Sequence, residues 1–131
     1  MTTHITLSPV LKNIAVREAQ TFLDEIAGVK AVVIATIDGF DIASATRSGI
    51  DPARIAAMAS SIAAIGAVVA QETSLGAPSS VVINSASGFI QVFTVNRADM
   101  QLIVNVVSDS TGVLAQVSYR GRAMIQTLLA A

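Results

Sequence analysis

From Asp51 to Leu75 the chain reads Asp-Pro-Ala-Arg-Ile-Ala-Ala-Met-Ala-Ser-Ser-Ile-Ala-Ala-Ile-Gly-Ala-Val-Val-Ala-Gln-Glu-Thr-Ser-Leu, with no charge between Arg54 and Glu72. Asp51 can cap a helix there and Pro52 suits its first position, where a missing N–H costs nothing. Gly76 offers a left-handed stop, with Pro78 just beyond it. Ile55, Met58, Ile62, Ile65 and Val69 fall at spacings of three and four and make one bulky stripe. Ala56, Ala59, Ser60, Ala63, Ala67 and Ala70 make a small one. A helix without a polar face needs cover on more than one side. The expectation is that the bulky stripe meets a sheet. The small stripe is then left for close approach to another protein, most simply the same helix of a second copy. A membrane span is not expected, because the uncharged run is short of the usual ~20 residues and alanine drives insertion weakly.

The whole chain, that helix included, has only 131 residues, enough for one domain. Charged residues make up 13% of it, against about 25% in ordinary domains, so its surface is poor in charge for a free monomer. Net charge is −1, and Lys12, Arg17, Lys30, Arg47, Arg54, Arg97, Arg120 and Arg122 are scattered. No basic stripe with interleaved aromatics invites nucleic acid. There are no cysteines, which excludes disulfides and permits a reducing compartment. The opening residues, expected to be flexible over 1–7, lack the basic segment and apolar run of a secretory signal, so a cytoplasmic location is expected.

Read in order, Ser8-Pro9 opens a first helix with Leu11, Ile14, Ala15, Phe22 and Ile26 on its apolar side, ended by Gly28. Val29–Ile37 is β-branched and apolar on both faces, as a central strand would be. Asp38-Gly39 signals a hairpin into a shorter, more polar edge strand, Phe40–Thr46. After the long helix come three strand-like runs: Ser79–Ser85, Phe89–Val95 and Met100–Val107. Ser108 to Thr111 offer caps for a last helix with Leu114, Val117, Gly121, Met124 and Leu128 inward and Arg120 and Arg122 outward. The order α-β-β-α-β-β-β-α, with hairpins between neighbouring strands, predicts an α+β sandwich of three helices and a five-stranded, mostly antiparallel sheet.

This pattern resembles the roadblock / dynein light-chain family over nearly the whole chain. The most specific segment is Phe22-Leu-Asp-Glu-Ile-Ala-Gly-Val-Lys-Ala-Val-Val-Ile-Ala-Thr-Ile-Asp-Gly-Phe-Asp-Ile-Ala43: a helix, a Gly-Val step, a buried strand and an Asp-Gly hairpin. Asp109-Ser-Thr-Gly-Val-Leu114 is similar to the family's opening of the last helix. The resemblance implies a profilin-like fold and a homodimer in which central helices lie side by side. The strand after them, here Val81, Val82 and Ile83 with their neighbours, would pair across the two-fold. It also implies a non-catalytic platform for small Ras-like GTPases or a scaffold in transport and signalling complexes; a bacterial branch regulates the polarity GTPase of gliding cells.

The residues themselves argue against catalysis. His4 is the only histidine, so neither a Ser-His-Asp site nor a histidine zinc site is expected, and no cofactor or metal is implied. No phosphate-binding Gly-x-x-x-x-Gly-Lys-Ser/Thr loop occurs. Asp38 and Asp41 are explained by a turn and by solvent, and Arg97 and Asp99 by another turn. Arg54, Arg120 and Arg122 are candidate contacts to a protein partner. The alternative function is a small-molecule-sensing α/β domain, for which Asn105, Gln91 and Ser44 are the inward polar candidates.

Overall fold

The computed structural model describes residues 7–47 and 49–131. The elements are α1 (Pro9–Glu25), β1 (Val29–Thr36), β2 (Asp41–Thr46), α2 (Pro52–Glu72), β3 (Ser80–Ser85), β4 (Gly88–Asn96), β5 (Gln101–Asp109) and α3 (Leu114–Ala130). This is the expected order. The strands form one sheet, β2-β1-β5-β4-β3, antiparallel at every pairing. His4, with the rest of residues 1–6, lies outside the described residues. Leu7, expected in a flexible segment, is instead half-buried and packs on the core.

The helix starts follow their sequence signals. Ser8 Oγ accepts from the Leu11 amide at 3.0 Å, and Asp51 Oδ1 from the Ala53 amide at 3.0 Å. In the β1–β2 hairpin, Gly39 takes a φ of +94°, and its amide donates to Thr36 O at 2.9 Å. One helix end and one helix start differ from expectation. The left-handed residue just after α2 is Ser74, ahead of Gly76. None of the candidate caps serves α3: Val113 is its N-cap, without a side-chain bond, while Asp109 Oδ1 folds the preceding turn onto the Thr111 amide and hydroxyl.

Alternation along the strands sorts side chains between two covers. On one face Val32, Ile34, Phe93, Leu102, Val104 and Val106 pack with Phe22 of α1 and with Met124 and Leu128 of α3. On the other, Val33, Ala35, Val92 and Ile103 lie under α2. The central strand β5 and its neighbour β1 are buried on both sides, which is why neither alternates in polarity.

The topology sets the path of α2. It joins β2 to β3, the two opposite edges of the sheet, so it must traverse every strand. Its 21 residues make about 31 Å of helix, whereas the four spacings between edge strands total about 19 Å. The helix is longer than the sheet is wide.

Candidate interaction surface

One row of residues crosses the sheet beneath α2: Ser44, Val33, Asn105, Val92 and Val81, each the register partner of the next. Ala56 packs near Val33, Ala59 and Ala63 pack near Val92 and Ile103, and Gly66 stands over Val81. From Ala56 to Gly66 the helix rises about 15 Å, close to the three strand spacings, about 14 Å, between Val33 and Val81. So α2 runs nearly at right angles to the strands. Gly66 is over the last of them, and the remaining turn and a half, Ala67 to Glu72, extends past the edge.

This reverses the expected use of the two stripes. The small residues Ala56, Ala59 and Ala63 are buried against the chain's own sheet, so they are not available to a second copy. Of the bulky stripe, Ile55 and Ile62 are half-buried and pack beside the alanines. Met58, Ile65 and Val69 turn outward, as does Val68 next to them; Ile65 is 64% exposed and Val68 58%. The reason lies in the sheet. Its α2 face already carries Val33, Val92, Ile103 and Val81, and a helix can approach such a surface closely only on residues that add little bulk of their own. Gly66, at the right spacing to continue the alanine seam, was the sequence signal for this.

The other expected contact residues scatter. Ser60 is half-buried, and its hydroxyl donates to Ile37 O at 2.6 Å, tying α2 to the β1–β2 hairpin. Ala67 is exposed, and Ala70 lines a groove between the overhang and β3. That groove, about 440 Å³, is also lined by Ile62, Ile65, Val69, Val81 and Ile83. Val81 and Ile83 share the α2 face of β3, and Val82, half-buried, points to the other face. Among the described residues no strand lies beside the outer edge of β3, and Ser80–Ser85 contains neither charge nor proline.

Of the three arginines, Arg54 is exposed at the start of α2. Arg120 does not face solvent as expected. It donates to Glu18 (3.2 Å) and Glu25 (3.3 Å) of α1 and lies over the Phe22 ring, 5.4 Å from its centre, so it joins α3 to α1. Arg122 is exposed beside Tyr119 and Ile125 and makes no ion pair among the described residues. Arg97 does more than occupy a turn. Besides pairing with Asp99 at 2.9 Å, it donates to the carbonyls of Leu128 and Ala131 at the end of α3.

The inward polar residues find most of their partners within the chain. Gln91 donates to Ser80 Oγ and accepts from Ser118 Oγ, both at 3.0 Å. Asn105 is buried with its Oδ1 unbonded, and Ser44 is half-buried on β2. Neither lines the groove.

A helix–strand–hairpin unit, a helix laid across five antiparallel strands and an open third strand agree with the family that the sequence resembles. That family's Roadblock/LC7 profile matches residues 16–104. The chain belongs to the Roadblock/LC7 domain family. Its fold is similar to that of MglB from Myxococcus xanthus, with TM-score 0.81 at 16% identity, over 97% of this chain and 92% of that one. It is similar also to the gliding protein MglB of Thermus thermophilus, with TM-score 0.82 at 16% identity, over 99% and 96%. A Roadblock/LC7 domain from Streptomyces avermitilis matches with TM-score 0.77 at 15% identity, over 86% and 92%. No curated protein matches the sequence. In this chain three helices cover one antiparallel sheet, and α2 is the cover left bare on its outer side. It is the one helix among the described residues long and apolar enough to cross a bilayer, yet its path lies flat across the strands.

Proposed function

We propose that this chain is a non-catalytic, homodimeric module of the cytoplasm that binds a small Ras-like GTPase and favours one of its nucleotide states, or scaffolds a signalling or motility complex. The observation that carries the assembly is the pairing of an open, uncharged strand edge with an apolar helix overhang above it. A strand laid antiparallel against β3 would satisfy the free backbone groups of that edge. It would also pass beneath Val69 and Ala70, filling the groove. The strand best suited to this is β3 of a second copy. A two-fold axis through the new pairing brings two overhangs together and makes one ten-stranded sheet. The revised contact set is therefore Ile65, Val68, Val69 and Ala70 with Val81 and Ile83, in place of the buried alanines.

The GTPase reading is supported by the sequence resemblance and by the family, and acts by differential binding: a partner is shifted only as far as its two states are bound unequally. Two measurements test the proposal. Light scattering at micromolar concentration is expected to give twice the 13.5 kDa chain mass. Purified protein, incubated with native lysate and either GDP or a non-hydrolysable GTP analogue, is expected to retain a small GTPase in one nucleotide condition only. A monomer overturns the assembly, and retention without nucleotide dependence overturns state selection.

A further inference from the structure

The β1–β2 hairpin tip, Ile37-Asp38-Gly39-Phe40, sends a Phe side chain into solvent, 71% exposed. A loose loop could do this by chance, but this tip is held from three sides. Thr36 N donates to Phe40 O at 2.9 Å, and Phe40 N donates back to Thr36 Oγ1 at 3.3 Å. Ser60 Oγ of α2 clamps the Ile37 carbonyl at 2.6 Å. Gly39 lies so near α2 that a Cβ on it would come within 3.3 Å of Ala57 Cα. The ring is therefore presented on a fixed backbone, which spares a partner much of the ordering cost of binding. Exposed carboxylates, Asp38 and Asp41, flank it in sequence.

The hairpin joins β1 to the edge strand β2, on the opposite side of the sheet from β3. From the Gly66 crossing to Ala57 is nine residues of helix, about 14 Å. The α2 overhang of a second copy, about 9 Å long, does not reach it. The proposed dimer therefore leaves Phe40 bare, and the ring needs a different occupant.

Its chemistry narrows the choice. A convex aromatic is a knob and encloses no small molecule. Two flanking carboxylates repel anionic lipid headgroups and nucleic-acid phosphates. We propose that Phe40 is an anchor for a protein partner whose surface offers an apolar pocket rimmed by lysine or arginine. Phe40 fills the pocket, and Asp38 and Asp41 meet the rim. Each dimer carries two such knobs at its far ends, so it can engage two partner molecules. The inference builds on the proposed function, for which it names the docking point, but the knob itself does not depend on dimerisation.

The test begins with the partner that wild-type protein retains from native lysate, identified by mass spectrometry and then purified. Its affinity is measured by calorimetry for wild type, Phe40→Ser and the double variant Asp38→Lys, Asp41→Lys. Both variants change exposed side chains, and their melting temperatures and light scattering are checked against wild type. The expected result is at least tenfold weaker binding for Phe40→Ser. For the double variant, the expected result is a loss that is larger at 50 mM than at 300 mM salt. A photo-reactive amino acid at position 40 is expected to cross-link to an apolar pocket bordered by basic residues. Unchanged affinity for Phe40→Ser, cross-links to an acidic surface, or retention of no protein each overturns the anchor. A dimer indifferent to Phe40 sinks this inference alone, whereas a monomer whose binding depends on Phe40 sinks only the dimer.

Discussion

Gly66 of α2 stands directly on Val81 of β3: a Cβ added to the glycine would fall far inside van der Waals contact of Val81 Cγ2. A β-branched side chain has little freedom to swing aside. An alanine here gains about 1 kcal/mol of helix propensity but overpacks the seam, which costs about 1–3 kcal/mol. Gly66→Ala is expected to lower stability by about 1 kcal/mol. In a Val81→Ala background the same change is expected to be neutral or stabilising. Urea unfolding of the four proteins at one fixed concentration measures the coupling.

The reversed stripes predict two different failures on one helix. Ala59→Glu and Ala63→Glu put an unpaired carboxylate against Val92 and Ile103, and both are expected to unfold the chain, with loss of the helical circular dichroism signal. Val69→Glu charges the outer side near the groove, and is expected to leave a folded monomer. If instead Ala63→Glu gave a folded monomer and Val69→Glu stayed dimeric, the small stripe would be the interface after all.

Arg120→Ala removes a half-buried guanidinium shared by Glu18 and Glu25 and stacked on Phe22. Leaving Glu18 without its partner is expected to cost about 1–3 kcal/mol of stability, since truncating one member of a partly buried pair strands the other. Partner affinity is expected to be unchanged. A loss of binding at full stability would return Arg120 to the contact surface.

The turn before α3 predicts an acid response. The Thr111 hydroxyl, at 2.5 Å, and then its amide hold the Asp109 carboxyl below the usual carboxylate range. A carboxyl depressed in the folded state stabilises it above the unfolded value of about 3.9, and that contribution is lost as pH falls through the folded value. Thr111→Val keeps the amide bond and removes the hydroxyl. The Asp109 carbon resonance, followed by NMR titration, is then expected to move at a higher pH than in wild type.

Much of this structure is legible in the chain because local signals and burial agree. Ser8-Pro9 and Asp51-Pro52 mark helix starts that the structure keeps, and Asp38-Gly39 marks its hairpin. The unbroken run of β1 correctly announces a strand covered on both faces. What was not legible depends on distance between elements. Nothing in α2 alone says which stripe goes inward. That is decided by the bulk of Val33, Val92 and Ile103, which come from strands before and after it. Arg120 reads as an outer charge until α1 brings Glu18 and Glu25 beside it, 102 and 95 residues away in sequence. Phe40 carried no signal beyond its place after a turn glycine, because exposure is settled by how the hairpin leans on Ala57 and Ser60.

The bare edge of β3 has a consequence for the life of the protein in a cell. Six residues without a charge or a proline offer their backbone to any extended chain that arrives. A newly made copy is in that position until something covers the edge. In the proposed dimer a second copy covers it, and how fast copies meet, set by their rate of synthesis and local abundance, would then decide between assembly on one side and clearance or aggregation on the other. For a chain of this design, dosage is itself a condition of solubility.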